Sequence, residues 1–573
     1  MNLQNKMKRI TLFFIISGFL IWGCGPQQPV TIDAYNYQIV KHDTFQQAAV
    51  SSAHPLASEV GRLILEQGGT AMDAAIAVQY ALAVVYPNAG NIGGGGFMVV
   101  HTKEGQSYTI DYREKAPGLA HRDMYLDSLG NADLTQSQNG HLAAGVPGSV
   151  AGMELAYNKF GTMDFKKLIQ PAIDLAEKGF AITEGEANGL NRTKDDFVRY
   201  NTQIPAFVKD QPWKANDTLI QTDLANTLKR IQQNGAKGFY EGETARLIVE
   251  EMKRGGGIIS EQDLKGYVAQ ERAPIVFDYK GYEIITMGLP SSGGLVLQQM
   301  MEMIKPYPIA QYGFQSKEAI NLMVEVERRA YADRTEYMGD PDFVDVPVAE
   351  LIDTNYIRSR MLDFVPLQPS KSEDIKAGLV KEKEETTHFS IIDKDGNMVS
   401  LTTTINGAYG SRVVVGGAGF ILNNEMDDFS AKPGVPNKFG LLGTEANSIA
   451  PGKRMLSAMS PTIVKKDGKP YAVVGTPGGS TIITSVFQTL LNLLEFDMSA
   501  FDAVNKPKFH HQWKPDVIYI EKNFDPQTRK DVETLGYIFE ERRNIGRTEV
   551  LLIRNGVIEA VGDWRGDDSV AGM

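Results

Sequence analysis

Two helices are predicted near the start of the chain by apolar residues at helical spacing. Between Leu56 and Ile64 the apolar positions recur at intervals of three and four residues, and Gly68-Gly69 then interrupts the pattern. An alanine-rich run follows and ends at Pro87. We therefore expect two packed helices between Pro55 and Pro87.

Further along, β-prone runs come in pairs around short turns. Asp-Gly and Asn-Gly between such runs are strong hairpin signals, so the sheets should be antiparallel. The pairs flank Lys103-Glu104-Gly105, Asp395-Gly396, Asp467-Gly468 and Asn555-Gly556. Helical segments such as Ser316 to Tyr331 and Thr481 to Glu495 lie between the hairpins. Sheets with helices set apart predict a layered α+β architecture.

The composition is that of an ordinary globular protein, and the net charge argues against one class of binding partner. Apolar residues make up 42% and charged residues 22% of the 573 residues, which argues against a disordered chain. The net charge of −12 is spread along the sequence, so no nucleic-acid partner is expected. Gly93 to Gly96 lacks the Lys-Ser/Thr of a phosphate-binding loop, and no cofactor is expected.

The first 23 residues have the features of a signal peptide. Basic residues precede an apolar run from Ile10 to Trp22, which ends at Gly23 and Cys24. Cys24 is the only cysteine, so an intramolecular disulfide is excluded. Its position resembles the lipidation site of bacterial lipoproteins, with residues 24–44 as a tether. Ordinary secretion and an uncleaved anchor are the alternatives, and each places the protein in a bacterial cell envelope, periplasmic or membrane-anchored.

The segment from Gln368 to Glu385 is rich in Lys and Glu and reads as a solvated connector. It stops at Thr386, where Thr386-Thr387-His388-Phe389-Ser390 begins a β-prone run. A threonine pair opening a strand is by itself common, because threonine favours strands. The neighbouring motifs give this pair a second interpretation.

Several motifs together resemble those of γ-glutamyltransferases, in the order and spacing of that family. The resemblance covers about residue 45 to the C-terminus. The segments that carry it are Asn91 to Met98, Asp111 to Glu114, Val146 to Ser149, Thr386 to Ser390, Asn423 to Ser430, Pro477 to Ser480 and Phe509 to Trp513.

This resemblance implies a four-layer αββα sandwich, the fold of N-terminal nucleophile hydrolases, with two antiparallel sheets. It also implies autocatalytic cleavage between Glu385 and Thr386, giving a large subunit (45–385) and a small catalytic subunit (386–573) that form one heterodimer. Cleavage frees the Thr386 α-amine, whose ordinary pKa of about 7.7 to 8.0 suits it to activate the hydroxyl of the same residue. Thr404 is then expected to orient that amine, and Gly478 and Gly479 to form the oxyanion hole.

The resemblance further implies a pocket for a γ-glutamyl group, which carries both an α-carboxylate and an α-ammonium. Arg113, helped by Ser457, would bind the carboxylate, and Glu425, Asp428 and Asn406 would receive the ammonium. Where the family usually has a second serine, this chain has Ala458, and weaker donor binding is expected. Phe439 stands where an aromatic residue often gates the pocket.

The expected donors are glutathione and other γ-glutamyl compounds, and the expected acceptors are water, amino acids and dipeptides. No metal is expected, because His510 and His511 should point to opposite faces of a strand and His388 completes no ligand spacing. Two alternatives stay open. One is a cephalosporin or glutaryl acylase of the same superfamily, and the other is an uncleaved binding lipoprotein.

Overall fold

The computed structural model describes residues 32–376, 386–432 and 444–573. The strands within these ranges are β1 (His42–Phe45), β2 (Ala49–Ser52), β3 (Gly95–His101), β4 (Ser107–Asp111), β5 (Phe180–Ala181), β6 (Thr218–Leu219), β7 (Gln270–Arg272), β8 (Ile275–Tyr279), β9 (Tyr282–Thr286), β10 (Thr386–Ile392), β11 (Met398–Thr404), β12 (Thr462–Lys466), β13 (Lys469–Gly475), β14 (Phe509–His510), β15 (Ile518–Glu521), β16 (Phe539–Arg542), β17 (Glu549–Arg554), β18 (Val557–Val561) and β19 (Ser569–Gly572).

The α-helices lie mostly in the first two thirds of the chain. They are α1 (Pro55–Glu66), α2 (Ala71–Val85), α3 (Leu134–Gln138), α4 (Ser149–Phe160), α5 (Phe165–Lys178), α6 (Glu184–Tyr200), α7 (Thr222–Asn234), α8 (Lys237–Tyr240), α9 (Gly242–Gly255), α10 (Glu261–Lys265), α11 (Gly293–Ile304), α12 (Ile309–Tyr312), α13 (Lys317–Tyr337), α14 (Val348–Leu351), α15 (Thr354–Ser359), α16 (Thr481–Leu494), α17 (Ala500–Asn505) and α18 (Pro526–Glu533).

Two seven-stranded antiparallel sheets form the centre of the fold. The first has the strand order β1-β18-β17-β13-β12-β9-β8 and the second the order β19-β2-β10-β11-β3-β4-β7. Strands β10 and β11 pack against β13 and β17 of the other sheet. Helices α1 and α2 cover the outer face of the second sheet, and α11 and α16 cover that of the first. The predicted α+β sandwich with four αββα layers is confirmed.

Apolar side chains fill the three spaces between these layers. Val99, Ile463 and Leu551 are fully buried in the layer between the sheets. Leu297 and Phe487 belong to the larger core that joins the helices α11, α13 and α16 to the first sheet. Burial of side chains of this size contributes about 1.5–3 kcal/mol each, so the core fixes the relative position of the two sheets.

The predicted local elements agree with the structure. The helix pair between Pro55 and Pro87 is present as α1 and α2, and a capping box of Thr70 and Asp73 fixes where α2 begins. The four predicted hairpins are present as β3–β4, β10–β11, β12–β13 and β17–β18. In the β12–β13 turn, Asp467 and Gly468 both have positive φ, of 51° and 74°, as a two-residue turn of this type requires.

The predicted solvated connector is exposed at Gln368, Lys371, Glu373, Asp374 and Lys376, but two of its described residues depart from the prediction. Ser372 and Ile375 are buried, and the indole N–H of Trp513 donates to the carbonyls of both, at 2.8 and 3.1 Å. The Arg328 guanidinium on α13 donates to the Ser372 hydroxyl and to the Asp516 carboxylate. This stretch is therefore docked through a buried charge on α13. Residues 377–385 of the connector lie outside the described residues.

Candidate active site

Thr386 is the first residue of β10 and lies directly opposite Thr404, the last residue of β11. Both residues are buried, Thr386 at 2% exposure and Thr404 at 0%. The Asn406 N–H donates to the Thr404 hydroxyl oxygen at 2.8 Å, which ties the Thr404 side chain to the turn that follows β11. Thr386 and Thr404 thus meet at one end of the central strand pair.

Thr386, His388 and Ser390 are every second residue of β10, so their side chains lie on one face of the strand. That face looks toward the other sheet, because the Ser390 hydroxyl donates to the Glu549 carbonyl of β17 at 3.4 Å. The His388 ring bonds the hydroxyls of Thr402 at 2.9 Å and Ser390 at 3.1 Å. Burial lowers the pKa of His388 to about 3, so its ring is neutral at ordinary pH. The nucleophile candidate therefore lies in the layer between the sheets.

The Gly478-Gly479 pair lies in the loop that joins β13 to α16. At the end of β13, Gly475 faces the His388 ring, where a side chain would collide with it. The Val474 carbonyl accepts from the Ser400 hydroxyl, which lies opposite Ser390, whereas Gly475 faces His388. Strand β13 thus runs toward the Thr386 end of β10. Gly478 has φ 138° and Gly479 has φ 63°, in the range that favours glycine. The structure thus brings the predicted oxyanion pair and Thr386 to the same end of the sandwich.

Arg113 and the two predicted ammonium ligands are in direct contact. Arg113 follows β4, and its guanidinium donates to the carboxylates of Glu425 and Asp428, which lie on a 3₁₀ turn. The same guanidinium donates to the carbonyls of Met455 and Leu456, both at 3.3 Å. The predicted ligands are therefore clustered, and they pair with one another.

Ser457 and Asn406 line the same region. Ser457 follows the Leu456 carbonyl that Arg113 contacts, and its hydroxyl accepts the Met459 N–H at 3.1 Å. The Asn406 amide nitrogen donates to the Asn424 carbonyl at 2.9 Å. Its buried amide oxygen has no hydrogen-bond partner among the described residues, which makes it an available acceptor for an ammonium group.

One buried acid near Arg113 had no role in the sequence interpretation. Glu114 is fully buried, and one of its carboxylate oxygens lies 3.7 Å from Arg113 Nη1. Burial raises the pKa of Glu114 to about 7 and that of the neighbouring Glu425 well above its usual range, although Arg113 opposes both shifts. The only sequence signal was its place next to Arg113 in the Asp-Tyr-Arg-Glu run.

Comparison with known proteins shows which family the chain belongs to. The family model described as gamma-glutamyltranspeptidase matches residues 57–573. The chain belongs to the γ-glutamyltranspeptidase family. It is similar to the glutathione hydrolase proenzyme of Escherichia coli (strain K12), at 43% identity over 99% of each chain.

Two solved structures extend the comparison. A γ-glutamyltranspeptidase from Helicobacter pylori is 43% identical, covers 61% of this chain and 97% of its own, and superposes with a TM-score of 0.56. A cephalosporin acylase from Bacillus halodurans superposes with a TM-score of 0.82 over 95% of this chain and 99% of its own. Its identity is 23%, so this second likeness shows a shared fold alone.

Three residues named from the sequence belong to segments that the structure does not describe. Cys24, Glu385 and Phe439 all lie outside the described residues. Within the described ranges there is no group of His, Cys, Asp or Glu side chains arranged to hold a metal ion. In those same ranges no helix is both long enough and apolar enough to span a membrane.

Proposed function

We propose that this chain is the precursor of a glutathione hydrolase and γ-glutamyltransferase. The observation that carries the proposal is the position of Thr386, which begins β10 directly opposite Thr404, at the end of β10 toward which β13 runs before the Gly478-Gly479 loop. The similarity to the glutathione hydrolase proenzyme of Escherichia coli supports the same activity.

Cleavage between Glu385 and Thr386 is the first step of the proposed mechanism. The Thr386 hydroxyl attacks the Glu385 carbonyl, the peptide becomes an ester, and water releases the two fragments as one heterodimer. Before cleavage the Thr386 nitrogen is an amide and cannot act as a base. Afterwards it is a primary amine with an ordinary pKa of about 7.7 to 8.0, next to the hydroxyl that it activates.

Catalysis then follows as an acyl transfer in two halves. The amine takes the hydroxyl proton as Thr386 Oγ attacks the γ-carbonyl carbon of glutathione. The N–H groups of Gly478 and Gly479 bind the negative oxygen that forms, and its collapse expels the amine of cysteinylglycine, which receives the proton. Water or the amine of an amino acid or dipeptide then attacks the γ-glutamyl ester and frees Thr386.

The γ-glutamyl group is recognised by the cluster around Arg113. The guanidinium turns from Glu425 and Asp428 to bind the donor α-carboxylate, assisted by Ser457. The released carboxylates and the unpartnered amide oxygen of Asn406 bind the α-ammonium. A glutaryl group has no ammonium for these acceptors, so this cluster favours a γ-glutamyl donor over the substrate of a glutaryl acylase.

The N-terminal region is proposed to carry the enzyme into a bacterial cell envelope, with a lipid on Cys24 as its membrane attachment. Mass spectrometry of the mature N-terminus tests that assignment. A lipid-modified cysteine supports it, and an unmodified or differently cut N-terminus contradicts it.

Two assays test the enzymatic proposal. On a denaturing gel the wild type should give two fragments divided at residue 385, while Thr386→Ala should stay one chain. The wild type should also release the chromophore from a γ-glutamyl anilide. A wild-type protein that remains a single chain and releases no chromophore would fit the binding-lipoprotein alternative instead.

A further inference from the structure

The two N–H groups of the proposed oxyanion hole belong to peptide units whose carbonyl ends are both held by threonine hydroxyls. The Gly478 N–H shares a peptide plane with the Pro477 carbonyl, and the Gly479 N–H shares one with the Gly478 carbonyl. In a planar trans peptide, the N–H points opposite to the carbonyl. Whatever fixes these two carbonyls therefore fixes the direction of both N–H groups.

The Pro477 carbonyl is held by Thr476. The Thr476 hydroxyl oxygen accepts the Arg547 N–H at 2.7 Å, and the hydroxyl donates its proton to the Pro477 carbonyl at 2.8 Å. A hydroxyl has one proton, so acceptance from Arg547 leaves that proton for Pro477. Thr476 is fully buried.

The Gly478 carbonyl is held twice. The Thr481 hydroxyl donates to it at 2.7 Å, and the Thr481 backbone N–H donates to it at 3.2 Å from the first turn of α16. Within the described residues, no hydrogen bond from the N–H of either Gly478 or Gly479 is found. Both N–H groups are thus held in a fixed direction but donate no hydrogen bond within the described residues.

The Gly478-Gly479 loop needs contacts of this kind to keep one conformation. Glycine loses more conformational freedom on folding than any other residue, so two adjacent glycines do not hold an orientation alone. Gly546 also packs against the loop, because its Cα would lie 3.4 Å from a Cβ placed on Gly478. The Arg547 side chain anchors Gly546, since it donates to the Ala53 carbonyl at 2.9 Å and to the Asp568 carboxylate.

We propose that Thr476 and Thr481 are positioning residues that orient the Gly478 and Gly479 N–H groups toward the oxyanion. The inference rests on the proposed function, because it assigns the geometry of that same site. Its effect falls on the transition state, since the oxyanion is absent from the bound substrate. The two hydroxyls are unequal, because without its own hydroxyl Thr481 still donates its N–H to the Gly478 carbonyl. Among the described residues, the Pro477 carbonyl has Thr476 as its one donor.

The test compares Thr476→Val, Thr481→Val and Thr476→Ser in matured, two-fragment enzyme with a γ-glutamyl anilide. Valine keeps the shape and removes the hydroxyl. Thr476→Val should lower kcat about tenfold to a hundredfold with KM changed less than about twofold, and Thr481→Val should lower kcat less. Thr476→Ser should restore most of the activity. The matched control is Thr489→Val on α16, where a buried hydroxyl has no hydrogen-bond partner among the described residues and kcat should not change.

A second readout separates orientation from general damage. A boronic acid analogue of the γ-glutamyl group, whose adduct with Thr386 carries an oxygen in the hole, should bind Thr476→Val more weakly by about the factor lost in kcat. Affinity for the product glutamate should stay as in the wild type. An unchanged kcat in Thr476→Val, or an equal loss of glutamate affinity, overturns the assignment.

If the Thr476→Val chain is not cleaved into two fragments, the test rests on Thr481→Val. A kcat of Thr481→Val equal to that of the control Thr489→Val then overturns the proposal. Inactive wild-type enzyme would count against the proposed function instead, so the two failures are distinguishable.

Discussion

Thr386 and Thr404 are cross-strand neighbours at the open end of the β10–β11 hairpin, and their Cα atoms form the last pair of its register. Side chains directly opposite one another on antiparallel strands are close enough to interact. A hydroxyl at Thr404 is therefore within reach of a group on the first residue of β10, including the amine that cleavage would create there.

The first prediction concerns that hydroxyl. Thr404→Val should lower kcat for a γ-glutamyl anilide about tenfold or more, because the Thr386 amine loses the group that orients it. Thr404→Ser keeps the hydroxyl and should retain most of the activity. Steady-state kinetics on the two-fragment enzyme measure both, and equal rates for the valine and serine variants would contradict the assignment.

The second prediction concerns the ion-pair cluster. Arg113→Lys should raise KM for the γ-glutamyl anilide, because an ammonium cannot make the two parallel bonds that a guanidinium makes to a carboxylate. The wild type should also prefer this donor strongly over a glutaryl anilide, which differs only by the absent ammonium. Comparable kcat/KM for the two donors would favour the acylase alternative.

The third prediction concerns a missing hydroxyl. Ala458 is fully buried next to Ser457, and Ala458→Ser adds a hydrogen-bond donor beside the proposed carboxylate site. A net hydrogen bond contributes about 0.5–1.5 kcal/mol, so KM for glutathione should fall about two- to tenfold. The idea fails if KM is unchanged or higher while the enzyme still matures and its melting temperature is kept.

The fourth prediction concerns acid stability. Burial lowers the pKa of His388 to about 3, whereas the unfolded chain protonates this ring at its ordinary pKa of about 6.5. The stability that depends on a neutral ring is thus fully present above about pH 6.5 and is lost as the pH falls from there toward 3. The contribution is about 1.4 kcal/mol for each pH unit of this window.

Denaturant unfolding of the uncleaved Thr386→Ala chain, with and without His388→Gln, at several pH values measures that slope. His388→Gln carries no such proton and should show a flatter decrease in the free energy of unfolding between pH 6.5 and 4. Comparison at pH 7.5 gives the separate cost of losing the bonds to Thr402 and Ser390. An unaltered slope in the variant would show that His388 is not the responsible group.

Local sequence signals predicted the local parts of the fold. The turn residues Asp467-Gly468 and Asn555-Gly556 specified hairpins because few residues adopt positive φ there without strain. The order of strands within each sheet was not predictable in this way. The position of β2 between β10 and β19 depends on contacts between residues hundreds of positions apart.

The sequence named candidate site residues but not their arrangement. The motifs named Arg113, Glu425 and Asp428, yet only the folded chain shows that they pair with one another. The docking of Ser372 was missed because its partner Arg328 lies on α13, where a charged residue reads as solvated until its burial is known. Thr476 and Thr481 flank Pro477 to Ser480 in the sequence, but no local pattern distinguishes them from ordinary strand and helix threonines.

The strand order also constrains when the chain can be cut. Strand β2 precedes residue 385, and its two neighbours in the sheet, β10 and β19, both follow it. Residues before 386 supply β1, β8 and β9 of the first sheet and β2, β3, β4 and β7 of the second, so neither polypeptide alone holds a complete sheet. We therefore expect the sheets to assemble on the continuous chain before the proposed cut. Two fragments separated by denaturant should accordingly not regain activity on mixing.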